Sequence, residues 1–335
     1  MLLLKIKNKI SSMVEKVINL DSIVAKRCNR YILAYHRIIP YEIVQKEYVQ
    51  DSIWTLPETF ENQIKWMLEI GEIVDIERIL DFEKENDKPL FSITFDDGWK
   101  DNYEYAFPIL KKYGITATIF IVTSAVDTGR LPWVEEVLKK THIALKNNKK
   151  QEIIKFIKRR LGDSMLLLFN NIYELVDHYL EYLKELSLTK RENCIYDYYT
   201  QIGVDFEPIR DSILTWDEIL EMDKHGISFG SHTHTHAILQ YCDEKTILNE
   251  LLISKNILEE KLKKPIYIFC YPNARYNNSD ANLLEKAGYK FGFRLHNLPL
   301  NKGYSRYFIP RILVNEKKCG TPSYFKFRLL GVPKY

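Results

Sequence analysis

The 335-residue chain has no C-x-x-C pair, no internal repeat, no low-complexity tract and almost no charge imbalance. Its five cysteines, Cys28, Cys194, Cys242, Cys270 and Cys319, are odd in number and scattered. That pattern excludes a disulfide scaffold and a thiolate zinc site, and it reads as a protein of a reducing compartment. Forty-eight basic against 45 acidic side chains leave a net charge of +3, too balanced for nucleic-acid binding by bulk electrostatics. The amino terminus holds only a short apolar run and no small-residue cleavage site. It therefore reads as neither a membrane span nor a secretory leader, and the expected location is the cytoplasm. Residues 2–20 alternate apolar and basic positions at helical spacing. A helix lying on a membrane surface and a helix capping the bottom of the fold both fit that pattern.

What is present is an ordinary globular composition, 46% apolar and 13% aromatic, enough for one large core or two modest ones. Strand-like runs fall near residues 31–36, 73–76, 90–95, 117–123, 227–230, 266–271, 291–295 and 308–314. Helical patterns at 57–70, 103–113, 216–225, 244–263 and 279–287 lie between most of them, the alternation of β/α units. Residues 126–212 break this rhythm with Leu131-Pro132-Trp133 and a long, mostly helical stretch. A connection of that length must carry structure of its own. The predicted organisation is an N-terminal helix over 1–28, a barrel built from 29–125 and 213–335, and a helical insertion over its rim at 126–212. Within the insertion, Lys146, Lys149, Lys150, Lys155, Lys158, Arg159 and Arg160 form a basic run. A solvated helix face is the default reading, and a surface facing an acidic glycan or a lipid-linked sugar phosphate is the sharper one.

Two motifs carry chemistry. Thr94-Phe95-Asp96-Asp97-Gly98 closes an apolar run, and far downstream stands Ser231-His232-Thr233-His234-Thr235-His236. Successive strand residues point to opposite faces, so both aspartates reach one pocket only if the chain has begun to turn, which Gly98 permits. Two adjacent carboxylates raise one another's pKa unless a cation takes one of them and leaves its neighbour free as a base. His232 and His236, four residues apart, share a face if a helical turn begins there, and they complete a ligand set with Asp97. Two nitrogens and one oxygen with an open position are the pattern of a catalytic metal, expected to assist hydrolysis. His234 points away on such a turn and reads as a surface residue.

The two motifs resemble the first two signatures of the polysaccharide deacetylases, the NodB-homology carbohydrate esterases. Tyr35-His36-Arg37, Asp101-Asn102-Tyr103, Ala117-Thr118-Ile119-Phe120, Leu214-Thr215-Trp216-Asp217-Glu218, Ser254-Lys255 and Tyr271-Pro272 follow in the family's order. The resemblance spans about residues 30–125 and 213–314. It implies an α/β fold, a distorted (β/α) barrel of about seven strands, whose strand ends collect the catalytic groups. It also implies removal of acetyl groups, N-acetyl before O-acetyl, from a cell-surface polysaccharide or its precursor. By the same resemblance Asp97, His232 and His236 would hold a divalent ion, zinc in most members, and Asp96 would be the general base.

The third motif departs from the family. Phe269-Cys270-Tyr271-Pro272-Asn273-Ala274 lacks the usual aromatic at 273, the glycine at 274 and the arginine some members carry at 270. A backbone donor does not depend on its own side chain, so the Asn273 N–H can still face a developing oxyanion. Arg311 is the expected substitute cation orienting Asp96, with Arg275 the alternative. Expulsion of an amine needs a proton donor, for which His36 is preferred to His296. Trp99, Trp133, Trp216 and Tyr276 are candidates for stacking on sugar rings. A non-sugar amide hydrolase on the same barrel and a non-catalytic carbohydrate-binding protein are the competing readings. Retention of Asp96 beside the metal ligands argues against the latter.

Overall fold

The computed structural model describes residues 19–27, 30–84, 86–162, 169, 171–210 and 212–331. Its ten strands are β1 (Arg30–Tyr35), β2 (Arg37–Ile38), β3 (Trp54–Thr55), β4 (Glu72–Ile73), β5 (Leu90–Phe95), β6 (Thr118–Ile121), β7 (Ser228–Ser231), β8 (Ile268–Cys270), β9 (Phe291–Leu295) and β10 (Ile309–Leu313). Seven of them, in the order β1-β5-β6-β7-β8-β9-β10, pair in parallel and close on themselves through β1 and β10. The closure is irregular at one seam. Strand β4 pairs with Leu90 and Phe91 at the start of β5, while β6 pairs with Thr94 and Phe95 at its end. The short β2 and β3 form a separate parallel ladder above the rim.

Barrel strands are buried on both faces and therefore read as near-continuous apolar runs. One parity of each strand faces the interior. Ile32, Leu90, Phe120, Ile268, Cys270, Phe293 and Ile309 pack there as one cluster. The other parity, including Leu33, Phe91, Ile93, Phe95 and Ile119, packs with surrounding helices such as Pro57–Ile70, which contributes Phe60, Ile64 and Met67. At Gly230 the interior is so tight that a Cβ would lie 2.7 Å from the Phe120 ring and 2.8 Å from Ile268. The bottom of the barrel is plugged by Arg30, whose guanidinium donates to the carbonyls of Ile79 (2.6 Å), Asp81 (2.9 Å) and Lys84 (3.0 Å).

Most expected helices lie within a residue or two of their predicted ends. The pattern at 103–113 is instead a π-helical turn, Asn102–Ala106, running into Phe107–Tyr113. Thr215 and Glu218 form a reciprocal capping box that starts the helix Trp216–Lys224. The expected N-terminal helix falls largely outside the described residues, which contain only its final part, Leu20–Arg27. The membrane contact expected for residues 2–20 also lies almost wholly outside them. Among the described residues no helix is long and apolar enough to cross a membrane.

The insertion contains helices Trp133–Lys146, Lys150–Leu161, Ile172–Lys184 and Leu188–Ile202. Their apolar faces meet in a core distinct from the barrel's, centred on Val137, Phe156, Ile157, Tyr179, Leu183 and Tyr198. The basic residues lie on the outside of this unit. Lys149 pairs with Glu152, Arg160 with Asp197, and Lys146 donates to the Lys46 carbonyl.

Candidate active site

Strand parity selects the site. Positions 90, 92 and 94 of β5 face inward, so Asp96, two residues past Thr94, continues into the mouth of the barrel. The same count on β1 delivers His36, on β7 His232, and on β10 Arg311. Asp97 should then point away from the mouth. It instead takes φ 72°, followed by Gly98 at φ 78°, and the reversal swings its carboxylate back beside Asp96. The turn begins one residue earlier than the glycine alone suggested, at a non-glycine residue held in the left-handed region.

His232 and His236 do converge, but not on a helical turn. Residues 232–236 form an irregular loop in which Thr233 (φ 67°) and His236 (φ 57°) occupy the left-handed region. The loop is held from behind by Glu250, whose carboxylate accepts from the backbone N–H groups of His234 (2.9 Å) and Thr235 (2.8 Å) and from the Thr235 hydroxyl (2.8 Å). These anchors substitute for helical hydrogen bonds, which is why the i, i+4 spacing led to the right pair by the wrong geometry. His234 is turned away, bonded through Nδ1 to Thr123 Oγ1 at 2.9 Å.

The convergence fits a cation. Asp97 Oδ1 lies 3.5 Å from His232 Nε2 and 3.4 Å from His236 Nε2. It is buried with no hydrogen-bond partner among the described residues. His232 Nδ1 faces the Cys270 carbonyl at 2.8 Å, and since a carbonyl only accepts, the proton sits on Nδ1 and the Nε2 lone pair is free. Burial pushes His232 down to about 4 and His236 to about 3, the neighbouring aspartates opposing it, so both rings are neutral at ordinary pH. Asp97 Oδ2 is fixed by the indole N–H of Trp99 at 3.1 Å, leaving Oδ1 as the available ligand atom. One carboxylate oxygen and two neutral imidazoles, that of His232 with its Nε2 lone pair free, are a donor set for a divalent metal.

A second group, Asp96, His232 and Cys270, also brings ligand atoms together. It does not suit a metal. Both Asp96 oxygens are taken by Arg311 at 2.7 Å, and burial pushes the Cys270 thiol well up, away from the thiolate a metal requires. Arg311 also donates to Thr94 Oγ1 at 2.9 Å and to Cys270 Sγ at 2.7 Å. Arg275, the alternative, is elsewhere, paired with Glu181 and with the Tyr241 hydroxyl. Burial alone would raise the Asp96 pKa, yet the Arg311 charge and its two hydrogen bonds win and hold the carboxyl well below the usual range.

His36 places Nε2 3.9 Å from Asp96 Oδ2. Its segment is fixed by Asn102, which donates to the His36 carbonyl at 2.8 Å, and by Asp101, which accepts from Arg37 Nε at 2.8 Å and Ile38 N–H at 3.0 Å. His296 is exposed and lines no part of the cavity over the site. Asn273 does line it, at φ 53°, with Ala274 also at φ 53°. The sugar-stacking candidates are not in the cavity. Trp99 is fully buried under the Arg37 guanidinium, Trp133 lies beneath Arg191, Trp216 bonds Asp127, and Tyr276 packs on Tyr271 and Phe308. The aromatic that does face the cavity is Tyr271.

The cavity, about 280 Å³, is completed by residues the motifs did not suggest: Gln50, Ser52 and Ile53 from the β2–β3 connection, and Pro132, Val134, Glu135, Glu181 and Lys184 from the insertion. Glu135 is pushed up to about 7 by burial and by the nearby Asp97 carboxylate. None of the basic residues of the run from Lys146 to Arg160 lines it. The expectation of a helical insertion over the rim brought this segment to the barrel mouth but singled out none of these side chains.

The geometry agrees with independent comparisons. A family model described as polysaccharide deacetylase matches residues 83–292. The chain is 23% identical over 275 residues to YxkH of Bacillus subtilis, covering 81% of this chain and 69% of that protein. It is 25% identical over 269 residues to a poly-beta-1,6-N-acetyl-D-glucosamine N-deacetylase of Staphylococcus aureus, covering 77% and 66%. The chain thus spans about two thirds of the length of these relatives. Among solved structures, the Streptococcus pyogenes deacetylase PplD superposes with a TM-score of 0.56 at 20% identity over 86% of this chain and 93% of that one. IcaB from Ammonifex degensii superposes at 0.55 and 17% over 89% and 97%, both likenesses of fold. With the family model spanning most of the barrel and the motif residues gathered at its rim, the chain belongs to the polysaccharide deacetylase family, metal-dependent hydrolases of amide bonds.

Proposed function

We propose that this protein removes N-acetyl groups from the amino sugars of a surface glycan or its precursor, using a divalent ion, zinc by preference, held by Asp97, His232 and His236. The observation that carries the reading is the approach of Asp97 Oδ1 to both imidazole Nε2 atoms, at 3.5 and 3.4 Å, beside a second, separately held carboxylate. An ion bound there supplies Lewis acidity, lowering the pKa of water and polarising the acetyl carbonyl. The rest is done by the chain. Asp96, kept ionised and aimed by Arg311, takes a proton from the attacking water. The Asn273 N–H faces the developing oxyanion. His36, next to Asp96, gives a proton to the departing nitrogen, so that water and acetamide become acetate and an amine. An ester needs no such donor as strongly, which favours N-acetyl over O-acetyl substrates. The cavity holds the carboxylates of Asp96, Asp97, Glu135 and Glu181 against Lys184 and His36, a lining suited to an uncharged acetamido sugar.

The test is acetate release from N-acetylhexosamine glycans by protein supplied with zinc or cobalt. Asp96→Asn should abolish release while metal content persists. Full activity in a metal-depleted Asp97→Ala protein would sink the assignment.

A further inference from the structure

Among the groups lining the cavity over Asp97 is Glu135, from the first turn of the insertion helix Trp133–Lys146. The helix is anchored on both sides of it. The Arg191 guanidinium lies 4.4 Å from the Trp133 ring centroid, and Glu136 accepts from Arg130 Nε at 2.8 Å. Glu135 itself, half-buried, makes no hydrogen bond or ion pair with any described residue. The other carboxylates of the cavity are engaged. Arg311 holds Asp96, Lys184 and Arg275 hold Glu181, and Asp97 turns its free oxygen toward the two imidazoles. The cations that act on Glu135, namely Arg37, Lys139 and Lys184, are paired elsewhere, with Asp101, Glu47 and Glu181. Nor does Glu135 belong to the ligand group of Asp97, His232 and His236.

A carboxylate facing a cavity has to be solvated by water or by whatever displaces that water, because a covered and unpaired charge is costly. Sugar hydroxyls can take the place of the water, since they donate and both carboxylate oxygens accept. A plain amide leaves the group bare, and an anion meets a like charge. We infer that Glu135 accepts hydrogen bonds from hydroxyls of the sugar ring that carries the acetamido group, and so selects a hydroxylated substrate over a plain amide or ester. This rests on the deacetylase reading and deepens it by assigning a recognition residue to the insertion. The alternative role, a favourable charge in the first turn of a helix, would show in stability alone.

The experiment compares the full-length wild type, Glu135→Gln and Glu135→Ala, each loaded with zinc, on a β-linked N-acetylglucosamine pentamer and on 4-nitrophenyl acetate, which offers an acetyl group and no hydroxyl. Assays at about pH 9 keep Glu135 ionised, above the value of about 7 to which burial and Asp97 raise it. On the pentamer, Glu135→Ala should raise KM by about 10- to 100-fold, the scale of hydrogen bonds to a charged group, with Glu135→Gln in between and kcat little changed. Turnover of the ester and zinc affinity should be the same in all three proteins. Unchanged pentamer kinetics in folded variants overturn the inference and leave the deacetylase reading intact. So does an equal loss on both substrates, or a loss that follows zinc affinity. A wild type that releases no acetate from the pentamer overturns both. Glu135→Gln, of nearly the same volume, decides the matter should Glu135→Ala fail to fold, and the split between KM and kcat decides it should the wild type not turn over the ester.

Discussion

Arg311 grips Asp96 through two parallel hydrogen bonds of 2.7 Å, one from each terminal nitrogen, in a pair that is almost wholly shielded from solvent. The bidentate fork fixes the carboxylate plane as well as its charge. The arginine comes from β10, whereas the position that carries an arginine in some family members is here Cys270 on β8, which instead offers its sulfur to the same guanidinium. The cation thus reaches the same carboxylate from a different strand.

Removing the fork should show in both stability and pH dependence. Breaking a buried ion pair by deleting one partner costs about 3–5 kcal/mol, so Arg311→Met should lower the denaturant midpoint strongly. The folded-state pKa of Asp96 is depressed, so its stabilising contribution exists above the unfolded carboxyl pKa and is lost as pH falls through the folded one. Without Arg311, burial loses its main opponent and that pKa rises. The acid limb of the kcat/KM profile should therefore move to higher pH in Arg311→Met, and Arg311→Lys should fall between, keeping the charge but not the fork. A profile that does not move would show that Asp96 is not the group being titrated.

Much of this was legible from the sequence because strand parity and motif spacing are local. The β5 run announces Asp96, and a lone arginine inside Ile309-Pro310-Arg311-Ile312 stands out as a charge in a barrel strand that must find a partner. What was not legible depends on contacts between distant segments. No periodicity says that Glu250, on the helix Glu244–Leu262, will hold the histidine loop in place of a helical turn. Nor does the amphipathic pattern of the insertion say that Glu135, Glu181 and Lys184 face the barrel mouth while the basic run faces outward. Trp99 differs from expectation for the same reason, since it is fully buried in the main hydrophobic core with Arg37 4.3 Å from its ring centroid.

Glu250 should govern metal affinity without touching the metal. Partners that orient metal ligands typically contribute 10- to 100-fold in affinity, and Glu250→Ala removes three hydrogen bonds from the loop between His232 and His236. Competition against a chromophoric chelator should show zinc affinity lower by about 10- to 100-fold, with Glu250→Gln closer to wild type. Equal affinity in all three proteins would limit Glu250 to a role in folding.

The histidine pair predicts an acid sensitivity of the metal-free protein. Burial lowers His232 to about 4 and His236 to about 3, so between the unfolded histidine pKa, about 6.5, and those values the unfolded chain binds more protons than the folded one. Stability should fall as pH drops below about 6.5 and continue falling toward pH 4. Thermal melts in a strong chelator across that range should show the decline, and His236→Gln should flatten it. A wild-type melting temperature constant from pH 7 to pH 5 would contradict neutral burial of these rings.

The basic run on the insertion should be kinetically silent. Lys158, Arg159 and Arg160 line no part of the active-site cavity, and Arg160 is already paired with Asp197. Alanine at all three positions should leave kcat/KM within about twofold at every ionic strength, as screened surface charges away from a site contribute little. A salt-dependent loss would restore the reading in which this face attracts an anionic substrate.

Ala274 offers a gain in stability at the edge of the active site. It stands at φ 53° directly after Asn273, also at φ 53°. Asparagine tolerates the left-handed region, but alanine pays for its Cβ there, about 1–2 kcal/mol, and glycine would not. Ala274→Gly recovers that strain and gives back part of it through the greater freedom of glycine in the unfolded chain, a penalty of about 0.4–1 kcal/mol. The net expectation is stabilisation of up to about 1 kcal/mol, read as a higher urea midpoint at unchanged slope. Because Asn273 already holds the left-handed turn, the N–H proposed to face the oxyanion should keep its direction and kcat should change little. A lower midpoint in Ala274→Gly would mean that the methyl group packs favourably enough to outweigh its backbone.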